Sequence, residues 1–277
     1  VDYTHQRGTS MKVIEAIGLG ILQGVTEFLP ISSSGHLIVA RTLLRISEPP
    51  LLFDVILHVA TLLVVCFYFR RRLVVLIRTA SRAVTGSGLE TDIHDLRLLA
   101  TIGIATAATA VVGLVVNRLM IGSPLTLKMV SIAFITTAVL LAATRLKPDR
   151  VSKVRNPGLW LGLAIGIAQG IAVLPGISRA GATIAVCLFA SLDRQRTGEL
   201  AFLVSVPAVL GALSLTLSSA DVLLLDTSAS ALATSFAAAA ISGALCLRAL
   251  LTILHHNRIA WFAIYLLPLG IVGLVLS

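Results

Sequence analysis

Nearly all the residues that could do chemistry sit in two short polar interruptions of otherwise apolar sequence. The first reads Gln23-Gly-Val-Thr-Glu27-Phe-Leu-Pro-Ile-Ser32-Ser33-Ser34-Gly35-His36, and the second Leu174-Pro-Gly-Ile-Ser178-Arg179-Ala180-Gly181-Ala-Thr183. Proline, glycine and clustered hydroxyls stop a helix, so each stretch is a tip from which a new half-helix begins. A helix N-terminus carries partial positive charge and free N–H donors, which suits an anion. The N–H groups beside Gly35 and Gly181, the hydroxyls of Ser32, Ser34, Ser178 and Thr183, and the planar fork of Arg179 together match a group with several charged oxygens. Phosphate or diphosphate fits that description best.

Phosphoryl transfer needs a nucleophile, charge neutralisation and a positioned leaving group. Ser33 is assigned as the nucleophile, with His36 three residues on to take its proton. His36 as a phosphohistidine nucleophile, or as the activator of water, stays open. Glu27 either holds a cation or orients His36. Each residue also has a plainer reading. One serine of Ser32–Ser34 is enough to cap a helix. Glu27 and His36 could pair structurally, and Arg179 could snorkel to an interface. An ionisable side chain at membrane depth costs about 2.5–3.5 kcal/mol on insertion scales, which favours function for all three. Gln23 and its counterpart Gln169 serve equally well as site residues or as interhelical glue. Asp54 and His58, one turn apart, read as interface residues, and His94, His255 and His256 as solvated loop residues.

The elements that position these tips follow from composition. The 277-residue chain is 57% hydrophobic, 13% charged and 5% aromatic, with mean hydropathy +0.97. Soluble domains carry about 25% charged residues, so an ordinary soluble enzyme, a disordered chain and a disulfide-stapled secreted domain are excluded. Cys66, Cys187 and Cys246 read as packing residues. A net charge of +9 without aromatic interleaving points to membrane orientation rather than nucleic acid. Residues 1–10, which precede Met11, are read as an upstream tail.

A spanning helix needs about 20 mostly apolar residues. Stretches 51–69, 96–116, 125–144, 200–218, 231–250 and 259–276 qualify. Stretches 13–45 and 158–192 are cut near their middles and read as re-entrant hairpins. Fifteen of the 22 lysines and arginines fall in 70–97, 145–155, 194–196 and 248–258, whereas the loop before Ala231 holds only Asp221 and Asp226. The positive-inside rule then puts both termini outside, with the hairpins dipping in from opposite faces. Arg118 and Lys128 sit outside as a mild exception. Ile21-Leu-Gln-Gly aligns with Ile167-Ala-Gln-Gly, and the two tips align after them. The fold class is therefore all-α and polytopic: six transmembrane helices plus two opposed hairpins in an inverted repeat, 11–156 and 157–277. That plan is transporter-like, with its site where the tips meet.

Gln23–Leu37 and Leu174–Ile184 closely resemble the two signatures of the undecaprenyl-pyrophosphate phosphatases, the bacitracin-resistance proteins. Phe53–Leu63 and Glu199–Pro207 resemble two weaker segments of that family, so the similarity spans nearly all of 11–277. The resemblance implies hydrolysis of undecaprenyl diphosphate to the monophosphate carrier lipid of cell-wall synthesis. It also implies a site open to the outer face of the bacterial inner membrane and a divalent cation, magnesium or calcium. Glu27, Ser33, His36, Ser178, Arg179 and Thr183 fall on family site positions. Gln23 stands where some members have a second glutamate, and Ala180 where a serine is often found. Implied partners are the lipid substrate and the bilayer, with no nucleic acid and a homodimer among the allowed assemblies. A polyprenyl-phosphate flippase using the same anion site is the main rival, and a structural assembly protein the weaker one.

Overall fold

Lipid is as apolar as leucine, so helices in a membrane associate by shape and by polar contacts rather than by the hydrophobic effect. The computed structural model describes residues 11–46, 51–86, 93–122, 125–146, 158–217 and 228–277. The tail 1–10, the basic stretch 147–157 and the acidic loop with Asp221 and Asp226 lie outside the described residues. Those described form helices α1 (Val13–Phe28), α2 (Ser33–Leu44), α3 (Leu51–Tyr68), α4 (Arg70–Thr85), α5 (Ile93–Met120) and α6 (Leu127–Ala143). Then follow α7 (Leu159–Ile171), α8 (Arg179–Phe189), α9 (Arg194–Leu217), α10 (Ala229–His255) and α11 (Phe262–Val275), with no strand among the described residues.

The protein is thus all-helical, with several long apolar helices. Among the described residues, four segments are long and apolar enough to cross a membrane on their own: Ile93–Met120, Leu127–Leu146, Arg194–Leu217 and Ala229–His255. The helix α3 passes the same test only together with α4, from which it bends by 80°, and Ile259–Val275 is shorter. Of the six spans expected from the sequence, four are long apolar helices, a fifth depends on the bent pair α3 and α4, and the sixth, Ile259–Val275, is short. The sequence places the arginine-rich stretch 70–97 between two spans. Most of that stretch is α4, an amphipathic helix with four arginines in Arg70–Arg78 and exposed Val74, Val75 and Ile77 beside them. Arg72 ties it to α5 through Asp95 (2.7 Å) and to α9 through Glu199 (2.6 Å).

The two interrupted stretches form helix pairs. Helices α1 and α2 have 16 and 12 residues, and α7 and α8 have 13 and 11. At 1.5 Å per residue the longest is about 24 Å, short of a hydrocarbon core of about 30 Å. Each pair turns at its proline-bearing tip, and the tips touch. A Cβ on Gly35 would lie 2.9 Å from the Gly176 Cα and 2.6 Å from the Phe134 ring. Gly176 itself has φ 98°, which only glycine adopts freely.

The most extensive packing crosses between the halves of the chain: α1 lies against α10, α7 against α5, and α6 against α11. Small residues make this possible. On α1, Gly20 and Gly24 meet the backbone of Ser235 and Ala239, leaving no room for a side chain. On α7, a Cβ at Gly162 would lie 2.6 Å from the Thr101 carbonyl oxygen, and one at Gly166 2.5 Å from that of Ala105. This is the small-xxx-small packing of membrane helices, used once for each short helix pair. Under the tips, Phe28, Phe134, Ile184 and Phe202 close the centre of the bundle.

Gly24→Leu is expected to lower the melting temperature in detergent, because overpacking costs about 1–3 kcal/mol. Gly18→Leu, at a position where an added Cβ would meet nothing within 4 Å, is the control and should leave melting unchanged.

Candidate active site at the two helix tips

Each half-helix starts at a serine. Ser32 caps α2 and Ser178 caps α8, their hydroxyls accepting from the N–H groups of Gly35 (3.4 Å) and Gly181 (3.0 Å). The Gly35 and Gly181 donors expected to face an anion are therefore already bonded to their own caps. Ser32 holds φ 71° and ψ 101°, a backbone state that costs a non-glycine residue of order 1–3 kcal/mol. The second tip is braced by α6. The Thr137 hydroxyl accepts from the Ser178 N–H (3.2 Å) and also lies 3.3 Å from the Gly176 carbonyl.

The residue after each cap is the chemically interesting one. Ser33 opens α2 and Arg179 opens α8, and both side chains converge on Glu27 at the end of α1. Glu27 Oε1 accepts from Arg179 Nη2 at 2.7 Å. Glu27 Oε2 accepts from the Ser33 hydroxyl in a short hydrogen bond and from Gln23 Nε2 at 3.1 Å. The Glu27 and Arg179 side chains are 16% and 29% exposed, so the pair is partly shielded from solvent yet open to a ligand. These residues line a cavity of about 340 Å³. Its polar end is formed by Glu27, Ser33, Ser34, Arg179 and Gln169, and its walls by apolar residues of α3 and α9, among them Val55, Leu62, Phe202 and Val209. The cavity extends toward Asp54 on α3 and Thr216 on α9, at the ends away from arginine-rich α4 and from Arg194.

Three sequence expectations change here. His36 is not the hydrogen-bond partner of Ser33: its Nδ1–H donates to the Ser32 carbonyl (2.7 Å) and its Nε2 accepts from the Tyr265 hydroxyl (2.9 Å). The ring packs on Tyr265 and Phe134, with centroids 5.7 and 5.0 Å away, and does not line the cavity. Ser33 hands its hydrogen to Glu27 instead, and Glu27 does not touch His36. Thr183, expected among the anion donors, is fully buried behind Gln169, whose Nε2 donates to its hydroxyl (3.0 Å). The structure does bring Glu27, Ser32, Ser33, Ser34, Ser178 and Arg179 to one cavity. Sequence reasoning set aside His58, which lines it too. The signal was available: Asp54, His58 and Thr61 stand one turn apart on one face of an otherwise apolar helix.

A divalent cation meets a sparse donor set. No group of three or more His, Cys, Asp or Glu that could hold a metal occurs among the described residues. One buried atom does invite a cation: Gln23 Oε1 has no hydrogen-bond partner. With the adjacent Glu27 carboxylate it offers two oxygen ligands. Oxygen ligands of that kind suit magnesium, which keeps most of its waters and takes further ligands from substrate phosphates, while Gln23 itself is fully buried and lies outside the cavity lining.

Comparison with known proteins now bears on this arrangement. The family model for the bacitracin resistance protein BacA matches residues 16–272. The chain belongs to the BacA family. It is 41% identical to the undecaprenyl-diphosphatase of Treponema denticola over 262 residues, covering 94% of this chain and 96% of the relative. It is 36% identical to that of Desulforapulum autotrophicum over 274 residues, covering 96% and 98%. A third BacA-like relative, the undecaprenyl-diphosphatase of Desulfosudis oleivorans, is 42% identical over 73% of this chain and 76% of its own. The match to the family covers both tips and every helix that builds the cavity.

Because Arg179 neutralises a shielded carboxylate, Arg179→Ala should lower stability by about 1–3 kcal/mol, less than for a fully buried pair. Adding Glu27→Gln should restore most of that loss, as read by thermal melting of the single and double variants.

Proposed function

We propose that the chain is an integral membrane phosphatase. It hydrolyses undecaprenyl diphosphate to undecaprenyl phosphate and inorganic phosphate, returning the carrier lipid to cell-wall synthesis and conferring bacitracin resistance. The observation that carries the reading is the Glu27 carboxylate, shared between a serine hydroxyl and an arginine at the polar end of an apolar-walled cavity. The wall composition suits a substrate whose tail stays in lipid while its charged head enters. Family membership agrees with it.

The mechanism follows from who holds whom. The Ser33 Oγ attacks the terminal phosphorus, its proton passing to Glu27 Oε2. The new Oγ–P bond forms as the bond from that phosphorus to the bridging oxygen breaks, and the lipid monophosphate leaves. Once Glu27 is protonated it no longer pairs with Arg179, which is then free to hold the non-bridging oxygens. Water next attacks the phosphoserine phosphorus and the Oγ–P bond breaks; Ser33 recovers its proton from Glu27, and both protons of the water leave with the inorganic phosphate as dihydrogen phosphate. A divalent cation would be held by Glu27 and Gln23 Oε1 with the substrate's oxygens, and it would supply charge neutralisation. His36 acts at one remove, fixing the strained Ser32 that sets the position of Ser33.

The topology belongs to the same proposal. Arginines of α4, Arg194 and Arg196 face the cytoplasm, so the opposite end, toward which the cavity extends, faces outward. Both termini then lie outside, and the short helix pairs are re-entrant hairpins in a bacterial inner membrane.

Detergent-purified protein should release phosphate from undecaprenyl diphosphate, more so with magnesium or calcium than with chelator. Ser33→Ala and Arg179→Ala should each lower kcat by at least about 100-fold. No release from well-folded protein that still binds the lipid would overturn the phosphatase in favour of a flippase.

A further inference from the structure

Two histidines lie near the tips, and their environments differ in a way that assigns them different work. His36 has both ring nitrogens engaged inside the protein, by the Ser32 carbonyl and the Tyr265 hydroxyl. His58 has one. Its Nδ1–H donates to the Asp54 carbonyl one turn back on α3, at 2.8 Å. That bond fixes the ring against its own helix and leaves Nε2 as the nitrogen available to the cavity that His58 lines with Glu27 and Arg179. No hydrogen bond to Nε2 is present among the described residues.

Charge at the site points the same way. Arg179, which lines the cavity, is already paired with Glu27, and Asp54, which also lines it, is paired with Arg41. A diphosphate brings several negative charges, and a site whose arginines are matched by carboxylates has little positive charge left to meet them. From α9 the cavity receives only uncharged residues such as Ser205 and Thr216. His58 lines the same cavity with one ring nitrogen not taken up by its own helix, and an imidazolium donates from both nitrogens at once.

We propose that His58 is a substrate-binding residue for the diphosphate, donating from Nε2–H to a non-bridging phosphate oxygen while its Nδ1–H stays on Asp54. This rests on the diphosphatase reading above and adds to it a contact on α3, outside both helix tips. The two hairpins then hold the reacting phosphate from one side while a helix of the apolar wall holds the headgroup from the other. It also explains why a histidine and an ion-paired aspartate occupy successive turns of a largely apolar helix.

The test is a kinetic comparison of His58→Ala and His58→Gln in detergent, with inorganic diphosphate as a competing probe. Loss of one hydrogen bond to a charged oxygen should raise KM for His58→Ala roughly tenfold or more, with kcat within about threefold of the parent. The inhibition constant for inorganic diphosphate should rise in parallel. His58→Gln keeps an N–H donor at a similar reach but not the charge, and should fall between the parent and His58→Ala in both constants. His58→Leu, which fills the space without a donor, replaces the alanine variant if that one fails to fold. Unchanged KM in the donor-less variants overturns the proposal. So does a glutamine variant as weak as alanine, or a collapse of kcat at constant KM. If the parent protein itself releases no phosphate, the diphosphatase reading fails first. Release by the parent with an indifferent His58→Ala sinks this inference alone.

Discussion

One carboxylate joins the two helix tips. Glu27 ends α1, yet its oxygens are taken by the opening residues of two different half-helices, Ser33 and Arg179. In a medium of low polarity an unpaired charge is costly, so neither Glu27 nor Arg179 tolerates the absence of the other. That requirement holds the tips in register, and much else follows from it. The tips can meet only because Gly35 and Gly176 let backbone touch backbone. Ser33 can point at Glu27 only because Ser32 accepts a strained conformation, which His36 and Tyr265 brace from behind. A single ion pair thus serves as keystone in the resting protein and as the polar centre that a substrate would disturb.

The sequence exposes the plan of this molecule better than its contacts. The breaks after Leu29 and Leu174 are legible because proline, glycine and serine cannot continue a helix, and the structure turns the chain there. The convergence of Glu27, Ser33 and Arg179 is also legible, since two polar tips in an apolar chain have few other places to go. The partner of His36 is not. Tyr265 lies 229 residues away, and nothing in local spacing announces it. A three-residue step from Ser33 to His36 looks suited to proton transfer, but once α2 begins, that step turns the imidazole toward α11. Helix α4 was missed for another reason. Its arginines dominate composition and suggest a loop, while the amphipathic pattern beneath them makes a helix lying across the end of α3.

The cavity also separates two demands that a membrane phosphatase must reconcile. Charged groups are kept paired until a ligand arrives, so the polar end is electrically quiet. The walls on α3 and α9 are built of Val, Leu and Phe that a hydrocarbon chain can lie against without desolvation cost. A headgroup can therefore reach Glu27 while its tail remains in surroundings much like the bilayer. The same division would suit a carrier of phosphorylated lipids. A serine hydroxyl hydrogen-bonded to a carboxylate is what chemistry adds to such a binding site.

The crossed packing of α1 on α10 and of α7 on α5 has a consequence for how the chain is made. The Ser242 hydroxyl on α10 reaches the Ile21 carbonyl on α1, 221 residues earlier. Helix α1, with its small-residue face, must therefore enter the membrane and wait, unpacked, until most of the protein has been synthesised. Neither half carries the surface its own first hairpin needs, so neither is a folding unit. Truncated chains and slowly translated ones would present glycine-lined grooves to the lipid, the feature by which membrane quality control could tell an unfinished molecule from a complete one. In this protein, the last helices to be made decide whether the first ones have been placed correctly.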